Sequence, residues 1–88
     1  MDRPGEMRQR LEQALAPESL EIVDDSAQHV GHAGAKGGGG HYTITIVSPT
    51  FDGRSPVERH RLVYQALGDL MGRDIHALSI NAYTPNEL

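Results

Sequence analysis

Five histidines, at positions 29, 32, 41, 60 and 76, are the residues of this 88-residue chain whose type and placement bear most directly on chemistry. His29 and His32 form an H-x-x-H pair inside a glycine-rich stretch, His41 opens one run of alternating apolar and polar residues, and His76 opens another. Neutral imidazole is the commonest nitrogen ligand for zinc, copper and iron, so histidines at strand mouths and in a loop can converge on one metal centre. His76, His29 and His32 are the metal-ligand candidates, with His41 as a second-rank candidate at the far end of the loop. Blander readings stand beside these: H-x-x-H arises by chance in such a segment, and His41 also reads as an exposed strand-start residue facing the same side as Thr43. His60 shares a helical face with Val63, Tyr64 and Leu67 and reads as a partly buried histidine that hydrogen-bonds across the core.

There is no cysteine. The chain therefore has no disulfide framework, no thiolate nucleophile, no CxxC redox pair and no way to build an all-protein thiolate cage. Any metal must use nitrogen or oxygen here, or borrow sulfur from elsewhere. No serine, histidine and acid order, nucleotide-binding glycine fingerprint or paired carboxylate cleft is present, and Asp24-Asp25 reads as a turn, so the expectation is a protein that is not an enzyme. The formal net charge of −4 repels nucleic-acid phosphate at long range. Binding to DNA would need a local patch, for which Arg54, Arg59 and Arg61 are the candidates, interrupted by Asp52 and Glu58.

The elements that must position these residues follow from periodicity. Met7, Leu11, Ala14 and Leu15 recur at helical spacing and predict an amphipathic helix over about residues 3–16, stopped by Pro17. Leu20-Glu21-Ile22-Val23 reads as a short strand running into a turn at Asp24-Asp25-Ser26. From Ala27 to Gly40 nothing is periodic, and this stretch holds six of the ten glycines, as expected of a flexible, functional loop. Tyr42, Ile44 and Ile46 alternate against Thr43 and Thr45, which predicts a strand with one dry and one wet face over 41–48. Ser55-Pro56-Val57-Glu58 has the N-cap serine, N1 proline and N3 glutamate of a capping box. The helix it opens carries Val57, Val63, Tyr64, Ala66, Leu67, Leu70 and Met71 as apolar positions, with Gly72 as its expected left-handed C-cap. A last strand runs from Ile75 to Tyr83 with Leu78, Ile80 and Ala82 on one face, and an extra helical turn is expected near Phe51. Three strands with one apolar face require helices on that face, giving a two-layer α+β sandwich in a single domain over 1–88. No run approaches the roughly 18 apolar residues of a membrane span, and the charged first segment lacks a signal-peptide core, so the expected compartment is the cytoplasm.

Asp24-Asp25-Ser26 with His29, Ile46-Val47-Ser48-Pro49-Thr50-Phe51-Asp52-Gly53, Glu58-Arg59-His60-Arg61-Leu62-Val63-Tyr64, His76-Ala77-Leu78 and Thr84-Pro85-Asn86-Glu87, in that order, resemble the BolA family. The resemblance runs from the first helix almost to the C-terminus. It implies an α-β-β-α-α-β order with a three-stranded sheet, similar to class II KH-like folds, and partnership with a monothiol glutaredoxin. In such pairs a [2Fe–2S] cluster is shared with the glutaredoxin cysteine and a glutathione thiol. By that resemblance His76 of the H-A-L element is one ligand, and His29 or His32 from the loop is the other. Two imidazoles on one iron and two thiols on the other would be Rieske-like ligation, which suits cluster trafficking or iron and redox regulation. The isolated chain would hold no cluster tightly and would be a monomer or a weak homodimer.

The competing reading is a DNA-binding transcriptional regulator, because BolA proteins resemble KH domains. KH domains clamp a backbone with a GxxG loop between two helices. Here Gly34-Ala35-Lys36-Gly37 matches the pattern but lies between two strands, and the capped helix is preceded only by Gly53-Arg54-Ser55-Pro56.

Overall fold

The computed structural model describes residues 3–25 and 40–88. In chain order the elements are α1 (Arg3–Leu15), β1 (Ser19–Asp24), β2 (Gly40–Val47), a 3-10 turn (Pro49–Phe51), α2 (Pro56–Leu67), a short α3 (Leu70–Arg73), β3 (Ile75–Tyr83) and a final 3-10 turn (Pro85–Glu87). This is the expected α+β order, including the extra turn at Phe51. The sheet order is β1-β2-β3, with β1 antiparallel and β3 parallel to β2. The parallel crossover through α2 and α3 places helices against one face of the sheet. Among the described residues, no helix is long and apolar enough to cross a membrane.

The core lies between that face and the helices. Met7, Leu11 and Leu15 of α1, Tyr42, Ile44 and Ile46 of β2, Phe51, Val63 and Leu67 of α2, Leu70 and Ile75 are buried together. Leu20, Ile22, Leu78, Ile80 and Ala82 pack around them, as the strand periodicity predicts. Ala14, expected on the apolar face of α1, is exposed instead, because three residues at i, i+4 and i+8 already fill the stripe.

Several boundaries differ from the sequence expectation, each for a local reason. Helix α2 ends at Leu67 rather than running to Gly72: Gly68 takes φ 57°, and its N–H bonds to the Tyr64 carbonyl. Arg10 reinforces the stop by donating to the Leu67 carbonyl at 2.8 Å. Gly72, at φ 87°, sits within α3, where Met71 is also non-helical. Of the apolar positions that keep the helical period, Val57 and Tyr64 are 62% and 42% exposed. They stand seven residues apart and form a separate stripe from Val63 and Leu67. Asp24 belongs to β1 rather than to a turn, since it pairs with Tyr42.

Gly40, expected within the loop, is the first residue of β2. Its N–H bonds to the Asp74 carbonyl at 2.9 Å, and it is buried. A Cβ here would stand 2.7 Å from both Arg3 Nη1 and Tyr42 Cζ, so only glycine lets the backbone pass beside the Tyr42 ring. The remainder of the expected loop, 27–39, lies outside the described residues.

The turn between β2 and α2 is held to α1 by hydroxyls. Ser48 is fully buried; its hydroxyl donates to the Leu15 carbonyl at 2.6 Å and accepts the Thr50 N–H at 3.1 Å, while the Thr50 hydroxyl donates to the same carbonyl at 3.0 Å. These bonds satisfy the C-terminus of α1, where Ala16 turns the chain at φ 46°.

Candidate metal centre

The histidine end of the sheet is built by a register slip. Gly40 pairs with Ile75, but His41 pairs with Ala77, so His76 is an additional residue of β3 with no partner of its own on β2. A bulge of this kind re-aims a side chain and changes which residues face the core. Ile75 is buried, His76 is exposed, and Leu78 packs on the core, although strict alternation would put Ile75 and Leu78 on opposite faces. The His76 ring thereby comes to lie beside that of His41, with ring centroids 5.2 Å apart and planes inclined at 37°.

His41 is half-buried and shares the side of β2 that carries Thr43. It is the second residue of β2 and half-buried rather than exposed, and it stands next to the leading ligand candidate. Asp25, the residue after β1, adjoins His41. Its N–H bonds to the His41 carbonyl at 2.7 Å, and its carboxylate accepts the Thr43 hydroxyl at 2.6 Å. His29 and His32 lie outside the described residues. Among the described residues, no three histidines or carboxylates form a metal-sized group, so this end of the sheet offers two imidazoles and no complete ligand set.

His60 is half-buried as expected, but among the described residues its ring forms no hydrogen bond across the core. The signal that would have found the His41–His76 pair in the sequence is the parity break between Ile75 and Leu78, which marks a bulge.

The arginines read as a potential DNA patch have separate surroundings. Arg59 is committed inward. It donates to both carboxylate oxygens of Glu87, at 2.7 and 3.0 Å, to the Ala82 carbonyl at 3.1 Å and to the Arg54 carbonyl at 2.9 Å, and its side chain is 13% exposed. Its guanidinium also stands over the Phe51 ring at 6.0 Å. That hydrogen-bonded pairing, with the Thr84 N–H, holds the Glu87 carboxyl down at about 2 and raises the Arg59 guanidinium. Arg54 donates to the Thr50 carbonyl, and Arg61 is exposed. The N-terminus of α2 between them is closed by its capping box: the Ser55 hydroxyl accepts the Glu58 N–H at 3.2 Å and Glu58 accepts the Ser55 N–H at 2.8 Å. The second bond is the main cause of the lowered Glu58 carboxyl. A small pocket of about 170 Å³ lined by Pro49, Asp52, Thr84, Pro85 and Asn86 lies at this end of β3, away from the histidines.

Comparison with known proteins decides the family. Residues 11–87 match the model of the BolA-like protein family. The chain belongs to the BolA family. This BolA-family chain is 45% identical over 89 residues to Protein BOLA1, chloroplastic, of Arabidopsis thaliana, covering 98% of the chain and 56% of that protein. It is 38% identical over 81 residues to the DNA-binding transcriptional regulator BolA of Vibrio cholerae, covering 92% of the chain and 74% of that protein. Among solved structures it superposes on the BolA domain of SufE1 from Arabidopsis thaliana with a TM-score of 0.86 at 44% identity, covering 100% and 98% of the two chains. The chain spans between about a quarter and just over half the length of the first curated relatives it matches, 24% and 56%.

Proposed function

We propose that this BolA-family chain pairs with a monothiol glutaredoxin and shares a [2Fe–2S] cluster with it, in cluster trafficking or in iron and redox regulation, and that it acts as a ligand donor rather than as an enzyme. The observation that carries the reading is the His41–His76 pair at the bulged mouth of β2 and β3. Two imidazoles bound to one ion at about 2.0–2.1 Å and a tetrahedral angle have ring centres about 5 Å apart. The observed 5.2 Å separation lies within that reach.

The donor set fits the group. The chain contributes neutral nitrogen and has no thiolate, so the sulfur that an iron–sulfur centre requires must come from the partner and from glutathione. His76 is the first ligand, and His41, His29 and His32 compete for the second position. When bound, the cluster would supply electron-transfer and iron-donating chemistry. The chain's own residues would hold it through imidazoles, whose protonation at low pH releases metal. The Asp25–Thr43 bond braces the strand ends on which His41 stands.

The test mixes the chain with a monothiol glutaredoxin, glutathione and a cluster source and records visible circular dichroism. The wild type and His76→Ala, His41→Ala, His29→Ala and His32→Ala variants are compared. The His76→Ala spectrum is expected to collapse or change form, and one of the other three with it; unchanged spectra in all four variants would sink the proposal.

A second reading is favoured by one observation, the similarity to a relative named as a DNA-binding regulator. In that reading Arg54 and Arg61 touch phosphate while Arg59 keeps its fold role. Affinity for duplex DNA would then fall steeply as salt rises and would drop further in Arg54→Ala and Arg61→Ala.

A further inference from the structure

The sheet face opposite the helices is laid out in cross-strand rows. Asp25 and His41 form the row at the loop end, with the bulged His76 ring beside them; Val23, Thr43 and Ser79 form the next; Glu21, Thr45 and Asn81 the third; Ser19, Val47 and Tyr83 the last. Val47 at the far end of this face is buried, whereas the residues of the first three rows are half-buried or exposed. Val23 and Tyr83, on its two edge strands, remain 43% and 36% exposed.

Charge divides the molecule along the same line. All seven described arginines, at 3, 8, 10, 54, 59, 61 and 73, lie on or beside the helices, and none is on this face. In the helix layer, acids and arginines largely neutralise one another, through Arg8–Glu12, Arg10 with Glu6 and Asp69, Arg59–Glu87, and Arg73 with Asp69 and Asp74. On the sheet face Glu21 has no cationic partner among the described residues, and Asp25 meets only the Thr43 hydroxyl and the backbone. The middle of the face carries short neutral side chains, Thr43, Thr45, Ser79 and Asn81, which let another surface approach closely.

We infer that this face is the docking surface for a protein partner whose contacting surface is basic, seated over the Val23 and Glu21 rows with the His41–His76 pair at its rim. The inference rests on the proposed function, because it makes the docked protein the one that supplies the thiols. An uncompensated acidic edge steers a basic surface toward it and repels nucleic acid, while the neutral centre and Val23 supply the desolvated contact. The helix layer, with its charge already paired, offers no comparable pull.

The test labels the full chain with 15N and titrates it with an unlabelled, cluster-free monothiol glutaredoxin at low ionic strength. Shifts are expected on Val23, Thr43, Ser79 and Asn81 and not on Val57, Arg61 or Tyr64. Glu21→Arg is expected to weaken binding by at least about fivefold, and Arg61→Glu to leave it unchanged. Shifts centred on α2, unaltered binding in Glu21→Arg, or no binding by the cluster-free partner each overturn the docking surface. The outcome separates the two ideas. Sheet-face shifts with a cluster spectrum indifferent to all four histidine variants keep the docking surface and remove the ligand role, whereas a histidine-dependent cluster with shifts on α2 does the reverse.

Discussion

The two ends of β3 use polar side chains in opposite ways. At the Tyr83 end Arg59 and Glu87 are spent on each other, on the Ala82 carbonyl and on the Thr84 N–H, and they close over Phe51. At the Ile75 end a bulge turns an exposed imidazole out beside a second one, in a group that does not complete a ligand set among the described residues. A polar cluster satisfied from within stabilises the fold; one held in register at an exposed strand mouth is, in the proposed function, what a partner would use. The Arg59 side chain, read in the sequence as a phosphate contact, belongs to the first kind, and His76 to the second.

Substitutions at the two ends should separate stability from metal chemistry. The largest effect is expected for Phe51→Ala, which removes a fully buried ring from the clasp end and should cost about 3–5 kcal/mol in urea unfolding. Folded molecules of that variant should still form the cluster. Gly40→Ala, at the histidine end, should cost about 1–3 kcal/mol, because its Cβ collides with the Tyr42 ring in the core. A neutral result there would mean that Tyr42 and Arg3 swing aside and that the histidine end is looser than its packing implies.

Glu87→Gln should lower the melting temperature modestly while leaving the cluster spectrum intact. Its carboxyl is held at about 2 rather than the ordinary 4.5, so the folded state binds this proton less readily than the unfolded one. The clasp therefore contributes in full above about 4.5, and its contribution is lost as pH falls from there through about 2. In that window the wild type should lose stability on acidification more steeply than Glu87→Gln, as read from Tm against pH; parallel curves would show that the clasp is not what titrates. The smallest effect on stability is expected for His76→Ala, within about 0.5 kcal/mol, since the side chain is exposed. A larger loss would make His76 part of the fold and blur the distinction between the two ends.

Element identity was legible from local rules. The capping box at Ser55, the i, i+4 spacing of Met7 and Leu11 and the alternation of Tyr42, Ile44 and Ile46 each describe an element whose hydrogen bonds close within a few residues or along one strand, so the sequence carries them openly. The end of α2 was not legible. Gly68 and Gly72 are both glycines in suitable places, and the choice rests on Arg10, 57 positions away from Leu67, reaching the helix terminus.

The candidate site divides in the same way. The absence of cysteine and the position of His76 at a strand mouth are properties of the chain itself, and they determine that the chain can offer a metal nitrogen or oxygen but no thiolate. That His41 is the residue beside it depends on β2 and β3 lying parallel with a one-residue slip, a pairing between segments 35 residues apart. Whether Arg59 faces solvent or Glu87 was likewise decided only by the C-terminal turn folding back over α2. Side-chain type is local information, but a neighbour across a sheet is created by the chain's return, and that return is a property of the whole packed core.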